Sequence, residues 1–307
     1  ARAKTFAERE KCDYVTDYRE LLKRPDVQIV CVTTPSGSHA PIGMDVLRAG
    51  KNLVLEKPMA MSTKDAAALI RTAEEKKVTL AVISQRRFEP QHRAVKKVID
   101  EGALGKLLLT EVSLPFFRSQ EYYDSADWRG TIAQDGGALM NQGIHSIDLM
   151  LWFAGAADRV IGKTATQAHK MEAEDLGLAI VQFKNGAFGT IMASTSIRPG
   201  FPAAINFYGD KGTIKLEGSN IVHWTVPDRE KPELQTVNYG GVADPRAISF
   251  VYHQMQLTNI IESIEAGRPP EVRGEDGLRA VQLIESIYKS STTDRPIAIA
   301  ADFNQSE

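Results

Sequence analysis

DVQIVCVTTPSGSHAPIGMDVLRAGKNLVLEKPMA (residues 26–60) sets two apolar runs, each closed by a proline, around one stretch of helical spacing. Val27–Val32 is rich in valine and isoleucine and stops at Pro35, the pattern of a buried strand. SHAPIGMDVLRAG (38–50) has helical spacing and a glycine stop, and KNLVLEKP (51–58) is the next strand. Ser62 and Asp65 form an expected capping box for an amphipathic helix running to Lys77. VTLAVIS (78–84) is a third strand, and residues 90–105 form another helix ending at glycine. Strand and helix alternate three times with short connections, which predicts a doubly wound parallel sheet. Its second strand ends on Glu56-Lys57-Pro58. A lysine there stands at the carboxyl edge, where such sheets bind ligands. The competing reading is a rim ion pair, with Pro58 merely stopping the sheet.

After Gly105 the pattern changes. KLLLTEVSLPFF (106–117) reads as a long strand and residues 136–155 as one helix. Six more strands follow, joined in part by the Asn-Gly and Asp-Lys-Gly turns of hairpins, and two helices close the chain near 250–266 and 275–290. This half predicts an α+β unit with a large, mostly antiparallel sheet.

Composition supports two ordinary domains: 307 residues, 43% hydrophobic, 25% charged. A formal net charge of −2 gives no sign of nucleic acid or an anionic membrane as partner, and no apolar run is long enough for a membrane helix. Cys12 and Cys31 are too few for a disulfide scaffold, and Cys31, inside an apolar strand, is expected in the core. The chain opens ARAKTFAEREK, without methionine, and reads as a fragment or a processed product.

Three further segments carry chemistry. TTPSGSHA (33–40) leaves the first strand for a helix, so its hydroxyls and N–H groups face the carboxyl edge; taken alone it is a loop with Ser38 as N-cap. On the helix 136–155, Met140, Ile144, Ile147 and Leu151 form an apolar stripe, and Asn141, His145 and Asp148 a polar one beside it. Asp148 is the only charge from Gly136 to Trp152, so the polar stripe is expected to line a cleft, with Gly143 permitting close approach by a backbone or ligand. YYDSADWRGT (122–131) offers aromatic faces and Arg129 for a polar ring, or equally a domain interface. P-loop, G-x-S-x-G, metal-spacing and G-x-G-x-x-G patterns are absent.

Together and in this order, TTPSGSHA, AGKNLVLEKPMA (49–60), SQRRFEP (84–90) and GGALMNQGIHSIDLMLW (136–152) resemble the Gfo/Idh/MocA family of nicotinamide-dependent sugar and polyol oxidoreductases, over nearly the whole chain. The resemblance implies a partial Rossmann NAD(P)-binding domain over 1–104 and a substrate-binding and oligomerisation domain over 105–307. It implies hydride transfer between NAD or NADP and a secondary alcohol of a sugar, sugar derivative or cyclitol, in a cytoplasmic dimer or tetramer. Lys57 matches the family's catalytic lysine and His145 its catalytic histidine. Asn141 stands where many members have aspartate; asparagine accepts no proton, so acid–base work falls to Lys57 and His145 while Asn141 orients the hydroxyl. Thr33, Thr34, Pro35, Ser36, His39, Glu56, Lys57, Gln85 and Arg129 are implied to line the cofactor. Arg86, Tyr123, Trp128, Asn141 and His145 are implied to meet substrate. The matching turn in the family predicts a cis Lys57–Pro58 bond. Because the family's opening strand, glycine fingerprint and second strand have no counterpart here, this chain is expected to bind nicotinamide cofactor poorly. Two other activities suit the same resemblance: an NAD-dependent glycoside hydrolase, and a non-catalytic sugar- or dinucleotide-binding regulator.

Overall fold

A computed structural model describes residues 2–234 and 249–300. Helices α1 (Arg2–Glu10) and α2 (Tyr18–Leu22) lead into β1 (Ile29–Val32), α3 (His39–Arg48), β2 (Asn52–Leu55), α4 (Thr63–Lys76), β3 (Leu80–Val82) and α5 (Pro90–Asp100). The three strands pair in parallel in the order β1-β2-β3. Their register aligns Val32 with Leu55 and Leu55 with Val82, so three successive loops leave one carboxyl edge side by side. Ser62 caps α4 as expected, its Oγ accepting from the Asp65 N–H at 3.1 Å.

Cys31 corrects the sequence reading. It is exposed, because β1 alternates faces: Val30 and Val32 point into the core and Cys31 points away from it.

The second half begins with β4 (Leu107–Pro115) and α6 (Gln120–Asp124), and α7 (Ile144–Ala154) follows. Then come β5 (Ala157–Ala165), β6 (Leu176–Phe183), β7 (Phe188–Ser194), β8 (Ala204–Gly209), β9 (Thr213–Glu217) and β10 (Asn220–Thr225). Helices α8 (Val251–Glu265) and α9 (Gly274–Thr293) and the short β11 (Ile297–Ala298) complete it. Eight strands form one sheet in the order β10-β9-β8-β4-β7-β6-β5-β11. Every neighbouring pair is antiparallel except β4 with β7. The Asn-Gly turn joins β6 to β7, and Asp-Lys-Gly joins β8 to β9.

The inner face of this sheet packs on the apolar stripe of the helical segment: Met140, Ile144, Ile147 and Leu151 are all buried, against Ile191, Ala193 and Phe207 among others. Side chains of this kind contribute about 1.5–3 kcal/mol each when taken from water. The closest neighbour of Gly143 across that interface is Ala193, at 3.3 Å from where a Cβ would stand, so the sheet rather than a ligand exploits the missing side chain. Helix α9 packs against both α4 and β5, and Ile260 of α8 packs with Val54, Ala81 and Ile83 of the parallel sheet. The two closing helices thus cross the expected division after residue 104. On the outer face of the large sheet, Ile161, Leu178, Ile180 and Phe188 are exposed.

Candidate active site

The site grows from the aligned carboxyl ends of β1, β2 and β3. The Lys57–Pro58 peptide is cis, as expected. Lys57 Nζ donates to the Asn141 carbonyl at 2.8 Å and lies 3.3 Å from the Asn141 side-chain oxygen. Lys57 and His145 line one small cavity, together with Ser84, Ile144 and Asp148. Burial lowers the Lys57 pKa, against the pull of Glu56 and Asp135. Burial, then the positive charges of Lys57, Arg86 and His253, hold His145 well below its ordinary range. Both groups are therefore biased toward their neutral, proton-accepting forms.

Asn141 reaches Lys57 because the expected single helix does not start as an α-helix. It opens with a π-helical turn, Ala138–Gly143, before α7. Buried Glu174 anchors that turn: its side chain accepts from the Leu139 N–H at 2.8 Å and from the Tyr288 hydroxyl at 2.9 Å, and its backbone carbonyl accepts from Ala138. Turns of this type recur at functional sites because they re-aim side chains and carbonyls. Asp148, expected on the same polar stripe as Asn141 and His145, gives both carboxylate oxygens to Arg87, at 2.6 and 2.9 Å.

In the first loop, Thr33, Thr34 and Pro35 are exposed and Ser36 is half-buried. The Ser38 hydroxyl does not cap α3; it turns back to Thr34 Oγ1 and the Pro35 carbonyl. His39 is 1% exposed, its ring nitrogens 2.7 Å from the Pro58 carbonyl and 2.8 Å from that of Thr34. The ring thus staples the first loop to the second from beneath, instead of facing the cleft. Gly37 admits the segment after Arg129: its N–H bonds Gln134, and a Cβ there would stand 2.2 Å from the Ala133 carbonyl. Burial opposes the charge on Glu56, but His253, 3.7 Å away, and Lys57 outweigh it and keep its pKa low. Gln85 is buried, and its side-chain oxygen has no hydrogen-bond partner.

Among the residues expected to meet substrate, Arg86 is partly buried and aimed by Glu89 at 3.0 Å, with a longer contact to the Gly218 carbonyl. Trp128 and Arg129 are partly buried, and the Arg129 guanidinium lies 4.6 Å from the Trp128 ring and 4.3 Å from that of Tyr122. Tyr123 is a correction. It is buried, its hydroxyl bonds Thr195 at 2.8 Å, and burial pushes its pKa up to about 12, so it belongs to the packing beneath the loop. Aromatic composition picked out the loop but not which of two adjacent tyrosines turns inward. Three functional neighbours were missed: Glu89, His253 and Asp135. Asp135 is almost fully buried and bonds the Asn141 amide nitrogen; its setting, Gln-Asp-Gly-Gly, reads as an ordinary turn.

Among the described residues no group of three or more His, Cys, Asp or Glu could hold a metal ion, and no helix is long and apolar enough to cross a membrane. The family model described as an oxidoreductase family with an NAD-binding Rossmann fold matches residues 1–84, and that of the GFO/IDH/MocA C-terminal domain matches 92–215. The WlbA dehydrogenase of Chromobacterium violaceum, solved with NADH and UDP-GlcNAcA, superposes with a TM-score of 0.87 at 30% identity, over 98% of this chain and 86% of that one. The NADP-dependent scyllo-inositol 2-dehydrogenase of Bacillus subtilis is 27% identical over 94% of this chain and 83% of its own. A 2,7-anhydro-N-acetylneuraminate hydratase of Mediterraneibacter gnavus is 28% identical, over 96% and 87%.

Proposed function

Because the chain belongs to the Gfo/Idh/MocA oxidoreductase family, we propose that it oxidises or reduces a secondary alcohol of a sugar, sugar derivative or cyclitol, with Lys57 and His145 as its acid–base groups and Asn141 orienting the reacting hydroxyl. The observation that carries this reading is the Lys57 ammonium hydrogen-bonded to Asn141 and sharing a cavity with His145. Relatives named for NADP and solved with NADH support a nicotinamide cofactor.

The residues present suit the nicotinamide side of such a cofactor. Thr33, Thr34, Pro35 and Ser36 offer hydroxyl and backbone groups at the sheet edge, Glu56 offers a carboxylate, and the unpartnered Gln85 oxygen is an acceptor in want of an N–H. Arg129 lies in the loop that Gly37 admits to the same edge. When bound, the nicotinamide supplies hydride chemistry; the protein's part is to hold the alcohol and manage its proton. A lysine whose ammonium is disfavoured by burial can take the hydroxyl proton, and neutral His145 is a second acceptor beside it. Arg86, held by Glu89, and Trp128 supply hydrogen-bonding and apolar contacts for a polyhydroxylated ring.

Lys57→Met tests the assignment. In a version carrying the family's glycine-fingerprint segment, with NAD and NADP and a panel of sugars and cyclitols, it should abolish most nicotinamide reduction while cofactor binding persists; near-normal turnover would move the assignment to His145 alone. A redox-neutral reaction is the second reading, favoured by the relative named as a hydratase. Substrate conversion without net NADH would support it. A purely regulatory role is disfavoured by the pairing of Lys57 with His145 in one cavity.

We also propose a homo-oligomer formed through the outer sheet face, where Ile180 is 53% and Phe188 50% exposed. Ile180→Lys should shift the sedimentation profile toward monomer. A cytoplasmic location goes with dependence on a diffusible nicotinamide cofactor.

A further inference from the structure

Asp135 is a buried carboxylate, 1% exposed, in a loop that touches two parts of the site. One side of that loop meets Gly37, and the other meets Asn141. Both carboxylate oxygens accept N–H groups: Oδ2 takes the Gly130 N–H at 2.8 Å, and Oδ1 takes Asn141 Nδ2. Burial raises the Asp135 pKa, but these two N–H groups, with Arg129 and Lys57, favour its ionised form, which only accepts.

The Asn141 amide has a donor end and an acceptor end, and its shape alone would fit either way round. Asp135 removes the choice. Turned the other way, the amide would set its oxygen against a carboxylate and its N–H groups against an ammonium. With its nitrogen on Asp135, its oxygen stands 3.3 Å from Lys57 Nζ and also accepts from Gln142.

We infer that Asp135 is a positioning residue: it locks the Asn141 amide so that its oxygen meets the Lys57 ammonium, and it places a buried negative charge behind that amide instead of against the lysine. This rests on Lys57 being the acid–base group of the proposed reaction. The other charged or titratable groups facing Lys57 are Glu56, next in the chain, and, across the shared cavity, His145 and Asp148 of α7, the latter paired with Arg87; Arg129 faces Asp135. An aspartate at position 141 would press its charge directly on the ammonium and hold the proton there. Carried back to Asp135, the charge acts through a neutral amide, which steadies the lysine while leaving its proton free to move.

Protein labelled with 13C at the lysine ε-carbon, with the Lys57 resonance identified by its loss in Lys57→Met, gives a readout independent of turnover. In Asp135→Asn the Lys57 titration midpoint should fall by about one pH unit as the buried charge is lost. In the exchange variant Asp135→Asn with Asn141→Asp, the carboxylate touches the ammonium directly, and the midpoint should rise above that of the unaltered protein. A folded Asp135→Asn protein with an unmoved midpoint overturns the inference. If that variant does not fold, an exchange variant with an unmoved midpoint overturns it equally. Should Lys57→Met retain turnover while the midpoints move as described, the acid–base assignment passes to His145 and the positioning of Asn141 by Asp135 stands.

Discussion

Arg87 and Lys57 are two cations drawn out of water against the same helical segment, and the protein treats them in opposite ways. Arg87 meets Asp148 of α7 through two direct bonds, with Asp276 of α9 at 3.3 Å. Burial works against its charge, but the two aspartates prevail and raise its pKa. Lys57 meets no carboxylate in this segment directly; the neutral Asn141 lies between it and Asp135, and burial lowers its pKa. Direct pairing freezes a charge in place, whereas an interposed amide leaves a proton transferable. The first cluster reads as architecture and the second as chemistry.

Substitutions should separate the two. The largest effect expected is on rate: Lys57→Met should lower kcat by roughly 10²–10⁴-fold, the span of a lost general acid–base group. Comparable turnover in that variant, measured by nicotinamide absorbance, would erase the distinction. Next comes stability: Asp148→Ala leaves the Arg87 charge buried and without its bidentate partner, and should cost about 3–5 kcal/mol by chemical denaturation. Replacing both partners, as Arg87→Met with Asp148→Leu, should recover most of that loss.

A third buried group has a carboxylate beside it, Glu89 at 3.4 Å, that does not offset burial. Burial holds His92 near a pKa of about 4 against an ordinary 6.5. The unfolded chain takes up a proton through that window and the folded one does not. Stability is therefore intact above pH 6.5 and declines as pH falls toward 4, by at most about 3 kcal/mol. His92→Gln should flatten that part of the profile of denaturation midpoint against pH. The smallest effect should be Lys57→Met on stability, a change within about 1 kcal/mol in either direction, because it removes a buried ammonium while keeping the apolar stem. A thermal melt of the variant checks it.

Much of this was legible in the chain. Alternating apolar runs with proline and glycine stops give the three parallel strands, and their shared edge follows from parallel pairing, which is why Lys57 could be singled out. The stripe through Met140, Ile144, Ile147 and Leu151 survives because a buried face must repeat near the helical period. The π-helical turn was not legible, since it depends on Glu174 reaching across from the start of β6 to hold Ala138 and Leu139. The same long-range dependence hides Asp135 behind Asn141 and brings His253 beside Glu56. Tyr123 was misjudged because neighbouring aromatic residues differ only in which way the loop turns them. Cys31 was misjudged because an apolar strand was taken to be covered on both faces.

The parallel pairing of β4 with β7 inside an otherwise antiparallel sheet has a consequence for the order in which the protein assembles. Strands β5, β6 and β7 form a local meander that can zip from its Asn-Gly turn. β4 must wait for partners far along the chain, Phe188 and Tyr208 flanking its Leu109. Closing such long loops costs entropy before any contact repays it, so the strand at the centre of the finished sheet should be among the last to settle. Pulse-labelled hydrogen exchange during refolding would show the β6 amides protected before those of β4, and simultaneous protection would count against this sequence of events.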